Sequence, residues 1–74
     1  MTKLPSDLSG HDLIKALQRI GFVFQRQRGS HIILRRELPF ARVCIPNHKT
    51  LRPGTLRTIL HEAGISVEQL LELL

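Results

Sequence analysis

Apolar residues recur along this chain with two different periods, and the change of period divides it into segments. Leu13, Ile14, Leu17 and Ile20 fall three or four apart, as on one stripe of a helix, while Lys15, Gln18 and Arg19 take the other side. Ser9 stands where an N-cap is needed, and Asp12, three residues on, completes a variant of the capping box. Gly21 follows the stripe at once, at the place of a left-handed C-terminal cap. The pattern then alternates, which predicts strands over residues 22–26, 30–36 and 42–45. A second helical stripe of Leu56, Ile59, Leu60 and Ala63 begins behind Pro53, a residue suited to a first turn, and stops at Gly64. Ser66 and Gln69 make a capping box for a short last helix with Val67, Leu70, Leu71 and Leu74 inward.

The alternation also suggests a register for the first hairpin. A three-residue loop of Gln27, Arg28 and Gly29, with Gly29 left-handed, sets Phe24 against Ile32, Phe22 against Leu34 and Gln25 against His31. Phe22, Phe24, Ile32 and Leu34 then share the core face, and Gln25, His31, Ile33 and Arg35 share the other. The expected class is α+β, in the order α-β-β-β-α-α, with helices packed on one face of a three-stranded antiparallel sheet. That order matches the double-stranded-RNA-binding architecture with an added C-terminal helix, although architecture alone assigns no function. Residues 1–74 read as one domain, with residues 1–8 as a loosely ordered N-terminal arm.

Size and charge narrow the options. A chain of 74 residues buries only about 60% of its unfolded surface, so neither a second domain nor a large substrate cavity is expected. Cys44 is the single cysteine and cannot form an internal disulfide. There is no signal-like apolar run and no stretch long enough to span a bilayer, so the expectation is a soluble cytoplasmic protein with no membrane partner. The net charge of +5 is unevenly spread. From Lys15 to Arg57 there are ten Lys/Arg and one acid, Glu37, a local net of +9, whereas the last seventeen residues carry three glutamates and no Lys or Arg. A basic block of this kind favours a polyanion, because neutralising phosphates releases condensed counterions. A merely solvated charged surface is the alternative.

Four histidines, His11, His31, His48 and His61, are scattered without metal-ligand spacing, and no phosphate-binding glycine loop is present, so no metal or other cofactor is expected. His31 stands out chemically. It follows Gly29 and Ser30 at the start of a strand, projects away from the helices in the register above, and has Arg26, Arg28, Arg35 and Arg42 nearby in sequence or on adjoining strands. Imidazoles titrate near pH ~6.5 and so accept a proton from a ribose 2′-hydroxyl at cellular pH. Guanidiniums beside one hold a phosphate and stabilise the charge that builds up on it. An ordinary surface histidine is the alternative left open. His48 lies in a strand-to-helix loop, as second acid/base, phosphate ligand or plain surface residue. Ser30 caps the turn or donates to a phosphate. His11 and His61 read as helix-surface residues, and Cys44 as a residue packed within a strand.

These residues resemble a family. Leu17, Ile20, Gly21 and Phe22, then Arg26-Gln27-Arg28-Gly29-Ser30-His31, are similar to HicA-type toxins of bacterial toxin–antitoxin pairs. So are Ile45-Pro46-Asn47-His48, Pro53-Gly54-Thr55-Leu56-Arg57 and the run from Ile59 to Ser66. Gly-Ser-His alone is a weak signal; in the first hairpin, with Pro-x-His and Gly-Thr-Leu following in order, it is a strong one. The resemblance implies an mRNA interferase, an endoribonuclease working without the ribosome, whose catalytic histidine is His31 and whose other recurring histidine is His48. It also implies a HicB-type antitoxin partner that masks the catalytic histidine. On this basis Arg26, Arg28, Ser30, Arg35, Arg42 and Lys49 are expected to bind RNA. Gln25, His31, Ile33 and Arg35 are expected to meet the antitoxin, with Ile33 supplying an exposed apolar contact.

Two other functions fit part of the pattern. A non-catalytic RNA-binding module keeps the basic face and needs no histidine. A helix-turn-helix DNA reader fits less well, because its recognition helix over residues 67–74 offers Glu68 and Glu72 but no Lys or Arg. A purely structural interaction protein is a third.

Overall fold

The computed structural model describes residues 3–74. Its elements follow the expected order: α1 (Gly10–Gln18), β1 (Val23–Arg28), β2 (His31–Glu37), β3 (Phe40–Pro46), α2 (Pro53–Ala63) and α3 (Val67–Leu73). All helix ends but one form where the sequence puts them; α1 stops at Gln18 with Arg19 as a right-handed C-cap, so Gly21, at φ +98°, turns the chain two residues later and does not cap the helix. Ser9 Oγ accepts from the Asp12 N–H at 3.0 Å, and Gly64 closes α2 at φ +75°, a left-handed conformation that costs glycine little. Ser66 and Gln69 satisfy each other's backbone N–H groups at 3.1 and 2.8 Å, the full capping box.

The sheet is antiparallel with β2 in the middle. Leu34, Ala41, Val43 and Ile45 turn to one face and join Leu13, Ala16 and Leu17 of α1, Leu56, Ile59, Leu60 and Ala63 of α2, and Leu70 of α3 in one core. Ile32 packs against it partly buried. Leu8 belongs to this core at 5% exposure, and its carbonyl accepts from the Leu51 N–H. The packed body therefore reaches into the stretch read as an arm. In α3 the inward set differs from expectation: Leu73 packs against the core, while Leu71 and Leu74 are exposed. A helix of seven residues makes barely two turns, so only Leu70 is fully covered.

The first hairpin differs more. Its loop is Gly29-Ser30, two residues rather than three, with Arg28 paired to His31 and Gly29 at φ +58°. A positive φ at the first turn position only is the type II′ pattern, whose twist suits the flanking strands. The register then slips between Phe24 and Arg26, which leaves Gln25 as an extra residue in a bulge. Beyond the bulge Phe24 faces Leu34 and Val23 faces Arg35. Phe22 is buried as expected, but Phe24 is 57% exposed. The reason is coverage: α1 and α2 pack over β3, and β1 is the far edge of the sheet.

Candidate active site

The helix-free face of the sheet follows from the pairings. Arg28, His31 and Pro46 lie across one row, Arg26, Ile33 and Cys44 across the next, then Val23, Arg35 and Arg42, and last Glu37 and Phe40. The corrected register changes the chemistry of this face. The expected neighbour of His31 was Gln25; the residue directly across is Arg28, with Arg26 one row on. All four arginines singled out from the sequence share a face with His31. Glu37 is the only acid in the three strands, and it is engaged: Arg35 Nε lies 3.1 Å from its Oε1, and Nη2 donates to Oε2 at 3.4 Å. Both side chains are open to solvent, so this ion pair leaves the face strongly positive and contributes little to stability.

His31 itself is exposed, at the end of the central strand. The loop after β3 is fastened beside it. The Asn47 N–H donates to Ser30 O at 2.6 Å, the His48 N–H to Pro46 O at 2.9 Å, and the Gly10 N–H to His48 O at 2.9 Å. A Cβ on Gly10 would run into the Pro46 carbonyl, so only glycine lets the start of α1 come this close. The backbone at His48 is thus held between the first helix and the first hairpin. His31 is the ladder partner of Pro46, and His48 follows two residues later, which brings both histidines to the same end of the sheet. His48, Thr50, Arg52 and Thr55 line a shallow cleft of about 300 Å³ with Pro46 and Leu51. Lys49 is exposed in the same loop.

Several expected positions are corrected. Ile33 lies on the His31 face but is only 9% exposed, because a central-strand residue is walled in by neighbours on both sides. It is not the open apolar contact that its outward parity suggested. Cys44 is exposed rather than packed, since it faces away from the helices on an edge strand. Gln25 sits in the bulge without a ladder partner. His11 and His61 are surface residues of their helices, as expected. Two residues escaped the sequence reading altogether. Phe40 is 63% exposed on the His31 face, with the Arg35 guanidinium 5.2 Å from its ring centroid. Starting the third strand at Arg42 left it in a loop, although it has the parity of Arg42 and Cys44. Arg36 is the second; it points the other way and is tied into the fold.

Among the described residues no three His, Cys, Asp or Glu side chains come together to hold a metal ion, and no helix is long and apolar enough to cross a membrane. A family model described as the HicA toxin of bacterial toxin–antitoxin matches residues 10–65. The match runs from the first residue of α1 to just beyond the cap of α2, and so takes in the whole sheet and both site histidines. No individual curated protein is matched.

Proposed function

Because the chain belongs to the HicA toxin family, we propose that it is a cytoplasmic, metal-independent endoribonuclease that cleaves mRNA with His31 and is restrained by a HicB-type antitoxin. The observation that supports this most is the setting of His31. It is exposed on the helix-free face, directly across from Arg28, with Arg26, Arg35 and Arg42 on the same face.

In this reading the His31 imidazole accepts the proton of a ribose 2′-hydroxyl. The 2′-oxygen attacks the adjacent phosphorus, the bond to the 5′-oxygen breaks, and the departing oxygen takes up a proton. A cyclic phosphate and a 5′-hydroxyl are left. His48, held at the same end of the sheet, supplies that proton or a contact to the phosphate. Arg28 and Arg26 face the charge that accumulates on the phosphoryl oxygens. Arg35, Arg42, Ser30 and Lys49 hold the chain on either side. An acidic antitoxin covering this face pairs its carboxylates with these arginines and competes with RNA for them.

The test is induction of the wild type and of His31→Ala, with mapping of cellular RNA ends, and cleavage by pure protein with and without chelator. His31→Ala should fold normally and cleave nothing. A folded His31→Ala protein that cleaves at the wild-type rate refutes the assignment, and activity lost in chelator and restored by one ion refutes the metal-free mechanism. RNA binding with no cleavage by the wild type would favour a non-catalytic RNA-binding module.

A further inference from the structure

The far end of the His31 face poses a separate question. Phe40 is 63% exposed and Val23 60%, a large apolar surface for a small protein to leave in water on one side of a sheet. Neither ring nor methyls are part of the core, which lies on the opposite face. Both are set among cations: Val23 is the ladder partner of Arg35, Arg35 is the partner of Arg42, and the Arg35 guanidinium lies over the Phe40 ring. An exposed aromatic ring interleaved with arginines on an open sheet is what an unpaired nucleic-acid strand requires. Its bases stack on rings and guanidinium planes, and its phosphates take the remaining cations. A duplex has no free base faces to offer such a ring.

We infer that Phe40, together with the Arg35 guanidinium laid over it, is a stacking platform for an unpaired base of the strand that leads to His31. The proposal rests on the reading of the chain as an RNA-cleaving enzyme and adds to it a path and an anchoring residue. Glu37, the partner of Phe40, lies six steps along β2 from His31, so the platform stands roughly 20 Å from the imidazole at ~3.3 Å per residue. That span suits a few nucleotides, the low end of the site sizes of about 4–16 found on comparable platforms. Arg42 lies between the platform and the histidine on β3, and Arg26 and Arg28 flank the path on β1. Phe40 binds and positions in this scheme; it has no part in the bond-breaking step.

The experiment uses the full chain carrying His31→Ala, so that RNA is bound and not cut, and a short fluorescein-labelled single-stranded RNA of mixed sequence. Adding Phe40→Ala or Phe40→Leu should weaken binding about 5- to 150-fold, in line with loss of one stacked base. Phe40→Tyr and Phe40→Trp should bind as the parent does, a rescue that a mere packing role would not produce. The chain has no Trp or Tyr, so Phe40→Trp also gives a lone reporter whose emission should be quenched when RNA is added. Leucine binding as tightly as phenylalanine, or a tryptophan blind to RNA, overturns the platform while leaving the RNA-cleaving reading in place; the ring is then a contact for a protein partner. No RNA binding by the His31→Ala parent or by the wild type removes the reading and the platform together.

Discussion

Replacing Arg36 with methionine tests how the sheet is joined to the second helix. Arg36 has the parity of Ile32 and Leu34, so it points toward the helices. Its guanidinium lies 4.6 Å from the centroid of the buried Phe22 ring. Nη2 donates to the Ala63 carbonyl at 3.1 Å, and Nε donates to the Pro39 carbonyl at 2.9 Å. One side chain thus links the β2–β3 turn, the core and the C-terminal end of α2, where unsatisfied carbonyls and the helix dipole favour a cation. A hydrogen bond from a charged donor contributes about 1.5–3 kcal/mol net, a partly desolvated cation over a ring about 0.5–2, and a cation at a helix C-terminus about 0.3–1. These contributions share one guanidinium and do not add, so the expected loss is about 2–4 kcal/mol, high for a single substitution. At about 4–8 °C per kcal/mol for a domain of this size, Arg36→Met should lower Tm by at least about 8 °C. Urea denaturation should show a lower midpoint with an unchanged slope. The neighbouring Arg35→Met is the control. Its partner is a solvent-exposed carboxylate, and it should cost no more than about 1 kcal/mol while weakening RNA binding. Equal melting temperatures for the two variants would refute the reasoning, as would an Arg36→Met protein more stable than wild type.

Gly10→Ala should cost about 1–3 kcal/mol, because the added methyl must push the Pro46 carbonyl away, and it should lower cleavage further by displacing His48; a variant with wild-type melting and activity would contradict this. His48→Ala should reduce cleavage by pure protein less than His31→Ala does, and complete loss would make the reaction a two-histidine one. RNA affinity should fall steeply with salt, with a slope of about 0.7 per neutralised phosphate, and substitution of Arg28 or Lys49 should each lower that slope; a flat salt response would give the positive face another purpose. Ser66→Ala should cost about 1 kcal/mol by uncapping α3, read as a lower Tm with intact RNA binding.

What the sequence makes legible here depends on how local the physics is. Caps are local: Ser9, Gly64 and the Ser66–Gln69 pair can be read without the rest of the chain, and the structure has all three. The order of elements is also local, since each period of apolar residues announces its own type. The hairpin register was not legible to the same degree. Two- and three-residue loops around Gly29 differ by one residue, and the bulge at Gln25 shifts the count again. The Gly-Ser pair was a usable sign of the shorter turn. Coverage is the least local property. That Phe24 is open, Ile33 closed and Leu71 outward depends on where helices settle and which strand is central, and no spacing in the sequence carries that information. The grouping of His31 with its arginines is therefore legible in the chain, while Phe40, which stands out only by being uncovered, is not.

The bulge at Gln25 has a consequence for how this molecule tolerates its own company. A three-stranded sheet has two outer strands, and β1 is exposed along its whole length, with a row of backbone groups available to another chain. Regular outer strands of this kind pair edge to edge and aggregate. Here the extra residue disrupts the spacing of those groups and adds local twist, while Arg26 and Arg28 place like charges wherever two copies of the strand would meet. The arginines that gather around His31 thus also guard the border of the sheet. Deleting Gln25 would restore a regular ladder, and exchanging both arginines for threonine would remove the repulsion. The combination should increase self-association through β1, even where the fold is intact.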